Sequence, residues 1–443
     1  MSRVAVVFPN LREISGELEI CPNDLRALGR LNGSDLSVVD LRECNLSALG
    51  IQGLCRGSPN LKRLCLRNVA PDYNFVDATV HFIVTNCPKI EALSLDFWLE
   101  LTDVSMVYLS QLQYLRELNL TECHKLTSAA VQDFLRANQR LEVLILCDDS
   151  DLDVNSAPEY IDSALLTCIG LNCPKLTKLL LDLPNTSDVT DASLTNIARG
   201  CPLLEELRFA EFKKPNTLLP TLGACCPLLK RLYLRSVLFS DDDLLALCKG
   251  CPGLLSLRLP ECHCLSNTAV GTIAFHCKKL QGLLLTESST VTDQSMSTLF
   301  SSCTGLRSVH LGRLVPLTSA SILTLLQNCP LLQSLGLDWE YSQTYDTVAA
   351  CTDVSQAVEL ARSQAITDET LAQIPICCKE LKILRLYHCH FISNAAVWSL
   401  INSCKGLTEF TVHSCQHAKP SPECLAKYQA IGEQYRGLKV SWG

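Results

Sequence analysis

The chain has 443 residues, of which 47% are hydrophobic and 19% charged, so it can bury a large core and is not a disordered polymer. Thirty-eight Lys and Arg against 46 Asp and Glu leave a net charge of −8, the wrong sign for a nonspecific nucleic-acid binder. No apolar run reaches the roughly 18 residues that cross a bilayer, and the apolar stretch Val4–Phe8 is too short for a signal peptide. A soluble cytoplasmic or nuclear chain is expected, with no membrane or nucleic-acid partner.

In chain order, one element recurs. An L-x-x-L-x-L stretch opens at Leu11, Leu36, Leu61, Ile90, Leu115, Leu141, Leu176, Leu204, Leu229, Leu254, Leu280, Leu306, Leu332, Leu381 and Leu407. Ten of the fourteen intervals are 25 or 26 residues, and the others are 29, 35, 28 and 49. The residue three positions after each opener is apolar in every case, and five positions after, only Gly16 breaks the rule. Such a stretch makes a short strand with alternate residues pointing inward, and the segment after it reads as a helix. Helix starts are marked by Thr102-Asp103, Thr190-Asp191, Ser240-Asp241, Ser266-Asn267, Thr292-Asp293, Thr367-Asp368 and Ser393-Asn394. There a hydroxyl can accept from a free first-turn N–H, and the acid complements the helix dipole. One strand and one helix cannot bury their own apolar faces, so stacked neighbours must do so. The expected fold is an α/β leucine-rich-repeat solenoid over residues 1–443, a horseshoe of about 15–16 repeats. Its parallel strands line a concave face and its helices a convex one.

Cysteines follow the same period. Ten lie three residues before an opener, from Cys87 to Cys404, and five lie eight residues after one: Cys44, Cys123, Cys262, Cys389 and Cys415. A column repeating every 25 residues is a packing column of small buried thiols, not a set of bridges. Clusters such as Cys262-His263-Cys264 and His388-Cys389-His390 lie on different repeats and do not supply converging zinc ligands. No phosphate-binding Gly-rich loop, G-x-S-x-G or H-E-x-x-H occurs, so neither an enzyme nor a cofactor is expected.

The pattern C-P-x-L-x-x-L-x-L-x-x-C-x-x-(L/I/V)-(T/S)-(D/N) runs from Cys251 to Asn267, and a close form of it from Cys378 to Asn394. It resembles the cysteine-containing leucine-rich repeat, similar to the repeat region of F-box/leucine-rich-repeat proteins in the ribonuclease-inhibitor-like superfamily. The resemblance covers nearly the whole chain and implies a substrate receptor of a cullin-RING ubiquitin ligase that holds its target in the horseshoe. The family's F-box is a helical module ahead of the repeats. Only ten residues precede Leu11, so a link to the ligase adaptor is expected through a missing or separate module. Two other readings stand beside this one: a repeat-only adaptor or inhibitor that occludes a protein, and a receptor for a small anionic ligand.

Three segments break the repeat. Residues 148–160 form an acidic insertion, read as a solvated loop. Residues 338–365, with a helix-like stretch near Val348 to Arg362, read as a long insertion or a strandless repeat. Trp339, Tyr341 and Tyr345 in it could form a lid, because long loops in compact repeats carry function. Residues 416–443 read as a degenerate C-terminal cap.

Positions two, four and six after each opener should face the concavity. They bring Arg208, Arg231, Tyr233, Arg235 and Arg258 together, and further along His310, Arg385, Tyr387 and His388. Clustered guanidiniums repel one another until an anion arrives, and their planar forks suit carboxylate or phosphate. The expected partner is therefore a protein with an acidic or phosphorylated segment. The alternative is that Glu206, Glu211 and Glu261 neutralise these arginines. On the first reading, reversing Arg231 and Arg235 to Glu abolishes partner capture with little change in melting temperature.

Overall fold

The computed structural model describes residues 12–14, 22–32, 35–41, 47–67, 76–147, 158–183, 188–210, 212, 217–312, 314, 317–337, 357–361, 366–377, 383–387, 389, 391–404, 409–413, 415 and 439–442. The chain divides into two compact units that meet in sequence between Glu211 and Phe212. The first holds β1 (Glu13–Ile14), β2 (Val38–Leu41), β3 (Arg63–Arg67), β4 (Ala92–Asp96), β5 (Glu117–Asn119), β6 (Val143–Ile145), β7 (Lys178–Asp182) and β8 (Glu206–Ala210). The second holds β9 (Arg231–Arg235), β10 (Ser256–Leu259), β11 (Gly282–Thr286), β12 (Ser308–Gly312), β13 (Ser334–Leu337), β14 (Ala357–Ala361), β15 (Ile383–Tyr387), β16 (Glu409–His413) and β17 (Lys439–Trp442).

Within each unit every strand pairs in parallel with the next. The first ladder aligns Ile14, Val39, Leu64, Leu93, Leu118, Leu144, Leu179 and Leu207. The second aligns Leu232, Leu257, Leu283, Val309, Leu335, Val358, Leu384, Phe410 and Val440. The apolar column three residues after the openers is thus the spine of both ladders. Successive helices pack on one another in a second layer, as in the contact of Asp241–Gly250 with Asn267–His276. Their inward residues, such as Val131, Phe134 and Leu135, are fully buried. This is the layered α/β architecture that a strand–helix repeat builds.

One expectation is corrected. The 49-residue interval was to have lost its strand or to hold a helix near Val348–Arg362, yet β14 lies in it, paired with β13 and β15. Ala357-Val358-Glu359-Leu360-Ala361 alternates with period two, and two flanking strands offer it backbone partners, so extended backbone prevails over a helix. The rest of 338–356 and 362–365, the insertion at 148–157, and 416–438 lie outside the described residues. β17 follows β16 as the last described strand, where the C-terminal cap was expected.

Polar residues tie repeats together at the helix starts. Thr102, Thr127, Ser266 and Thr318 cap their own helices. Each hydroxyl also donates to a carboxylate at the start of the preceding helix: Thr102 to Asp77, Thr127 to Asp103, Ser266 to Asp241 and Thr318 to Asp293, at 2.6 to 2.8 Å. Asn267 takes the same role for Thr292. The acid thus does more than meet the helix dipole: it staples one repeat to the next.

Every described cysteine is an unbridged thiol. Cys251, Cys303 and Cys329 donate to the backbone oxygens of Cys226, Cys277 and Cys303, one repeat earlier, at 3.3, 3.5 and 3.6 Å. Cys123 and Cys262 in the second column donate to Leu95 O and Leu234 O. Burial pushes the thiols of Cys226, Cys251, Cys303 and Cys329 up to about 12. Both columns are packing columns.

Candidate functional site: the outer rows of the strand ladder

Leucines three and five positions after each opener fill the interior, so rows two, four and six lie on the other face of the strands. In the first unit this face neutralises itself. Arg63 pairs with Glu117 at 2.7 Å, Lys178 with Glu206 at 2.9 Å, and Arg208 with Asp182 at 3.3 Å. In the row at the strand entrances, Lys62 pairs with Glu91 at 2.8 Å and Arg116 with Glu142 at 2.6 Å. The hydrogen bond from Lys62 holds the Glu91 carboxyl below the ordinary carboxylate range. Asp96 accepts from Ser94 at 2.6 Å. Between these charges, Val143 and Ile145 on β6 are half-buried.

The arginines separate into two kinds. Arg208, in the first unit, is 3% exposed and its guanidinium is held by Asp182. Arg235 is 6% exposed, and its Nε and Nη2 donate to Glu261 Oε1 at 3.0 and 2.8 Å. These two are internal ion pairs, which corrects the expectation of four mutually repelling guanidiniums; Tyr233, on the same strand as Arg235, is buried as well. Of the three acids considered as neutralisers, Glu261 serves Arg235, Glu206 pairs with Lys178, and Glu211 lies outside the described residues. Asp182 was not foreseen because it sits on the strand before the arginine it serves.

Glu261 owes its aim to the turn. It has φ 57°, and Phe97, Glu122, Ser236 and Glu287, each likewise seven residues after an opener, have φ between 50° and 63°. The left-handed region costs a non-glycine residue about 1 kcal/mol. At Glu261 the bonds from Arg235 and from Ser236 Oγ offset that cost. Nothing in the residue types at this column marks the conformation.

Arg231 is exposed and Arg258 half-buried, on adjacent strands; Ser256 faces Arg231, and Arg258 faces Tyr233. Arg258 makes no ion pair among the described residues. Two strands on, His310 is 1% exposed, and its ring covers Gly336, where a Cβ would lie 2.2 Å from Nδ1. It is part of the ladder's packing. Arg385 is half-buried on β15. Trp339, His388 and the side chain of Tyr387 lie outside the described residues.

Sequence reasoning missed the row one residue after each opener, which holds Lys230, Leu255, Gln281, Arg307 and Gln333 in the second unit. Arg307 and Gln281 are exposed, and Arg307 makes no ion pair among the described residues. The Lys62–Glu91 and Arg116–Glu142 pairs show that neighbours in this row touch across repeats. The same 25-residue period, read one column earlier, would have found it.

Among the described residues, no three His, Cys, Asp or Glu side chains are placed to hold a metal ion, and no helix is long and apolar enough to cross a membrane. Cys262 is buried in its column, and His263 turns to Glu287, with Nδ1 3.0 Å from the Glu287 backbone oxygen.

No protein-family model matches the sequence. The fold is similar to that of a chain in the crystal structure of the Rad7 and Elc1 complex from yeast, with TM-score 0.58 and 17% identity over 95% of this chain and 88% of that one. An internalin, InlF, from Listeria monocytogenes gives TM-score 0.39 at 14% identity over 72% and 78% of the two chains. The leucine-rich repeat-containing protein LegL7 from Legionella pneumophila gives 0.38 at 17% over 62% and 95%. The chain is an α/β leucine-rich-repeat solenoid.

Proposed function

We propose that this chain is a non-enzymatic recognition scaffold that holds a protein partner on the outer rows of its strand ladder, the face expected to be concave. Its setting is target selection for ubiquitin transfer by a cullin-RING ligase, with the ligase adaptor bound through a separate module. The observation that carries the reading is the ladder itself. Its interior rows are closed by leucine, and its outer rows present Arg231 and Arg258 from successive repeats to solvent. The family resemblance of the cysteine-containing repeat supports the ubiquitin setting. A chain of similar fold occurs in the complex of Rad7 with Elc1, which fits a role in assembly. Buried, unbridged thiols suit the reducing cytoplasm or nucleus.

Affinity purification with mass spectrometry tests this. Recovery of a cullin and its adaptor beside variable targets is the expected result. One abundant partner with neither of them would favour an adaptor or inhibitor that occludes its partner. Inositol phosphates should not raise the melting temperature; if they do, the outer rows hold a small anion instead.

A further inference from the structure

Two stretches of consecutive strands, one in each unit, differ in charge. In the first, the segments 91–96, 116–121, 142–147, 177–182 and 205–210 each contain at least one carboxylate. In the second, strands β9 to β13 contain none, while Asp338 follows β13 directly and Glu359 lies on β14. On a chain of net charge −8, five consecutive strands without an acid form a local reversal of sign. Arg258, half-buried, and Arg307, exposed, supply positive charge there, and neither makes an ion pair among the described residues. The nearby acids Glu261 and Glu287 lie beyond the strand ends and are engaged by Arg235 and His263.

Beside these cations runs a row of small residues. Ser256, Gly282, Ser308 and Ser334 are register partners across β10 to β13. A Cβ at Gly282 would lie 3.0 Å from Ser256 Oγ, so the serine leans across the glycine. Ser256, Gly282 and Ser308 are half-buried, whereas Ser334 at the end of the row is 1% exposed, so the accessible part of the row spans β10 to β12. A shelf without bulky side chains lets another backbone come close, and serine hydroxyls can bond to its peptide groups.

We propose that this shelf binds an extended acidic peptide segment of the partner, laid across β10 to β12, its main chain over the small row and its Asp or Glu side chains on Arg258 and Arg307. The proposal rests on the reading of the outer rows as the recognition surface and says what they take. Strands lie about 4.8 Å apart, so β10 to β12 spans roughly 10 Å, the length of about three extended residues. Arg258 and Arg307 stand two strands apart and three residues out of register, so their backbones are roughly 14 Å apart. Cations spread at such intervals suit single carboxylates along a chain better than one phosphate, which needs them to converge.

The test is fluorescence anisotropy on the full chain with a fluorescein-labelled (Glu-Gly)6 peptide, against (Lys-Gly)6 and a (phosphoserine-Gly)6 peptide. The wild type should bind the glutamate peptide, more weakly as salt rises, and not the lysine peptide. Arg258→Glu with Arg307→Glu should weaken binding at least tenfold. Ser308→Trp, which blocks the row without changing charge, should weaken it as much, with the melting temperature of each variant held to confirm folding. If Ser308→Trp binds like the wild type while the charge reversal does not, the shelf is wrong and the recognition face stands. Equal binding by all variants, or binding of the phosphoserine peptide alone, overturns the proposal.

Discussion

Asp293 shows how one side chain serves two repeats. It begins its helix and accepts from the backbone and hydroxyl of Thr318 at 3.0 and 2.6 Å. Burial works to raise its carboxyl, but the bonds from Thr318 and Ser321 outweigh that and hold it below the ordinary value. A carboxylate lowered on folding adds stability that is present above about pH 4, the ordinary Asp range, and is lost as pH falls through its folded value. Asp293→Ala should cost about 2 kcal/mol at pH 7 by urea denaturation, and the deficit should shrink below pH 4. Asp293→Asn should cost less, because Asn267 does the same work for Thr292. Arg235 is the residue where sequence and structure part. From the sequence its reversal looked harmless to stability, but it is buried against Glu261, and Arg235→Glu would bury two carboxylates together. That should cost about 3–5 kcal/mol, seen as a clear fall in melting temperature. Its strand position was legible; its burial was not, because that depends on Glu261 in the next repeat and on a left-handed turn that no residue type announces.

At the scale of elements, helix starts, strands and cysteine columns could be read because each repeats the same local chemistry many times. How closely helices approach could not. A Cβ on Gly200 would lie 1.7 Å from Gly170 O, and one on Gly250 1.9 Å from Gly223 O. Gly271, also within a helix, meets nothing within 4 Å. Gly250→Ala should therefore destabilise by several kcal/mol, since backbone must move, whereas Gly271→Ala should be neutral or stabilise by up to about 1 kcal/mol. Thermal melts of the two variants check this; equal effects would mean that the helices do not pack backbone to backbone. β14 was missed for a related reason. Val358 and Leu360 keep the ladder's alternation, but Ser355 stands where the opening leucine of the repeat is expected, so only pairing with β13 and β15 reveals the strand.

For the whole molecule, a one-dimensional stack lets sequence periodicity speak for the fold, since each repeat contacts its neighbours through the same columns. On the proposed reading, recognition lies in the columns that vary, and pairing between strands decides which of those remain available. Arg208 and Arg235 are taken up internally, whereas Arg258 and Arg307 make no ion pair among the described residues. Partner choice should thus depend on the strand face and not on the helix layer. The most direct measurement is quantitative partner capture by three folded chains: wild type, Arg258→Glu with Arg307→Glu, and Lys249→Glu, an exposed residue in the last turn of helix Asp241–Gly250. Loss of the wild-type partners by the strand-face variant alone is the predicted result. Full capture by that variant, with loss on Lys249→Glu, would place recognition on the helices and contradict the reading.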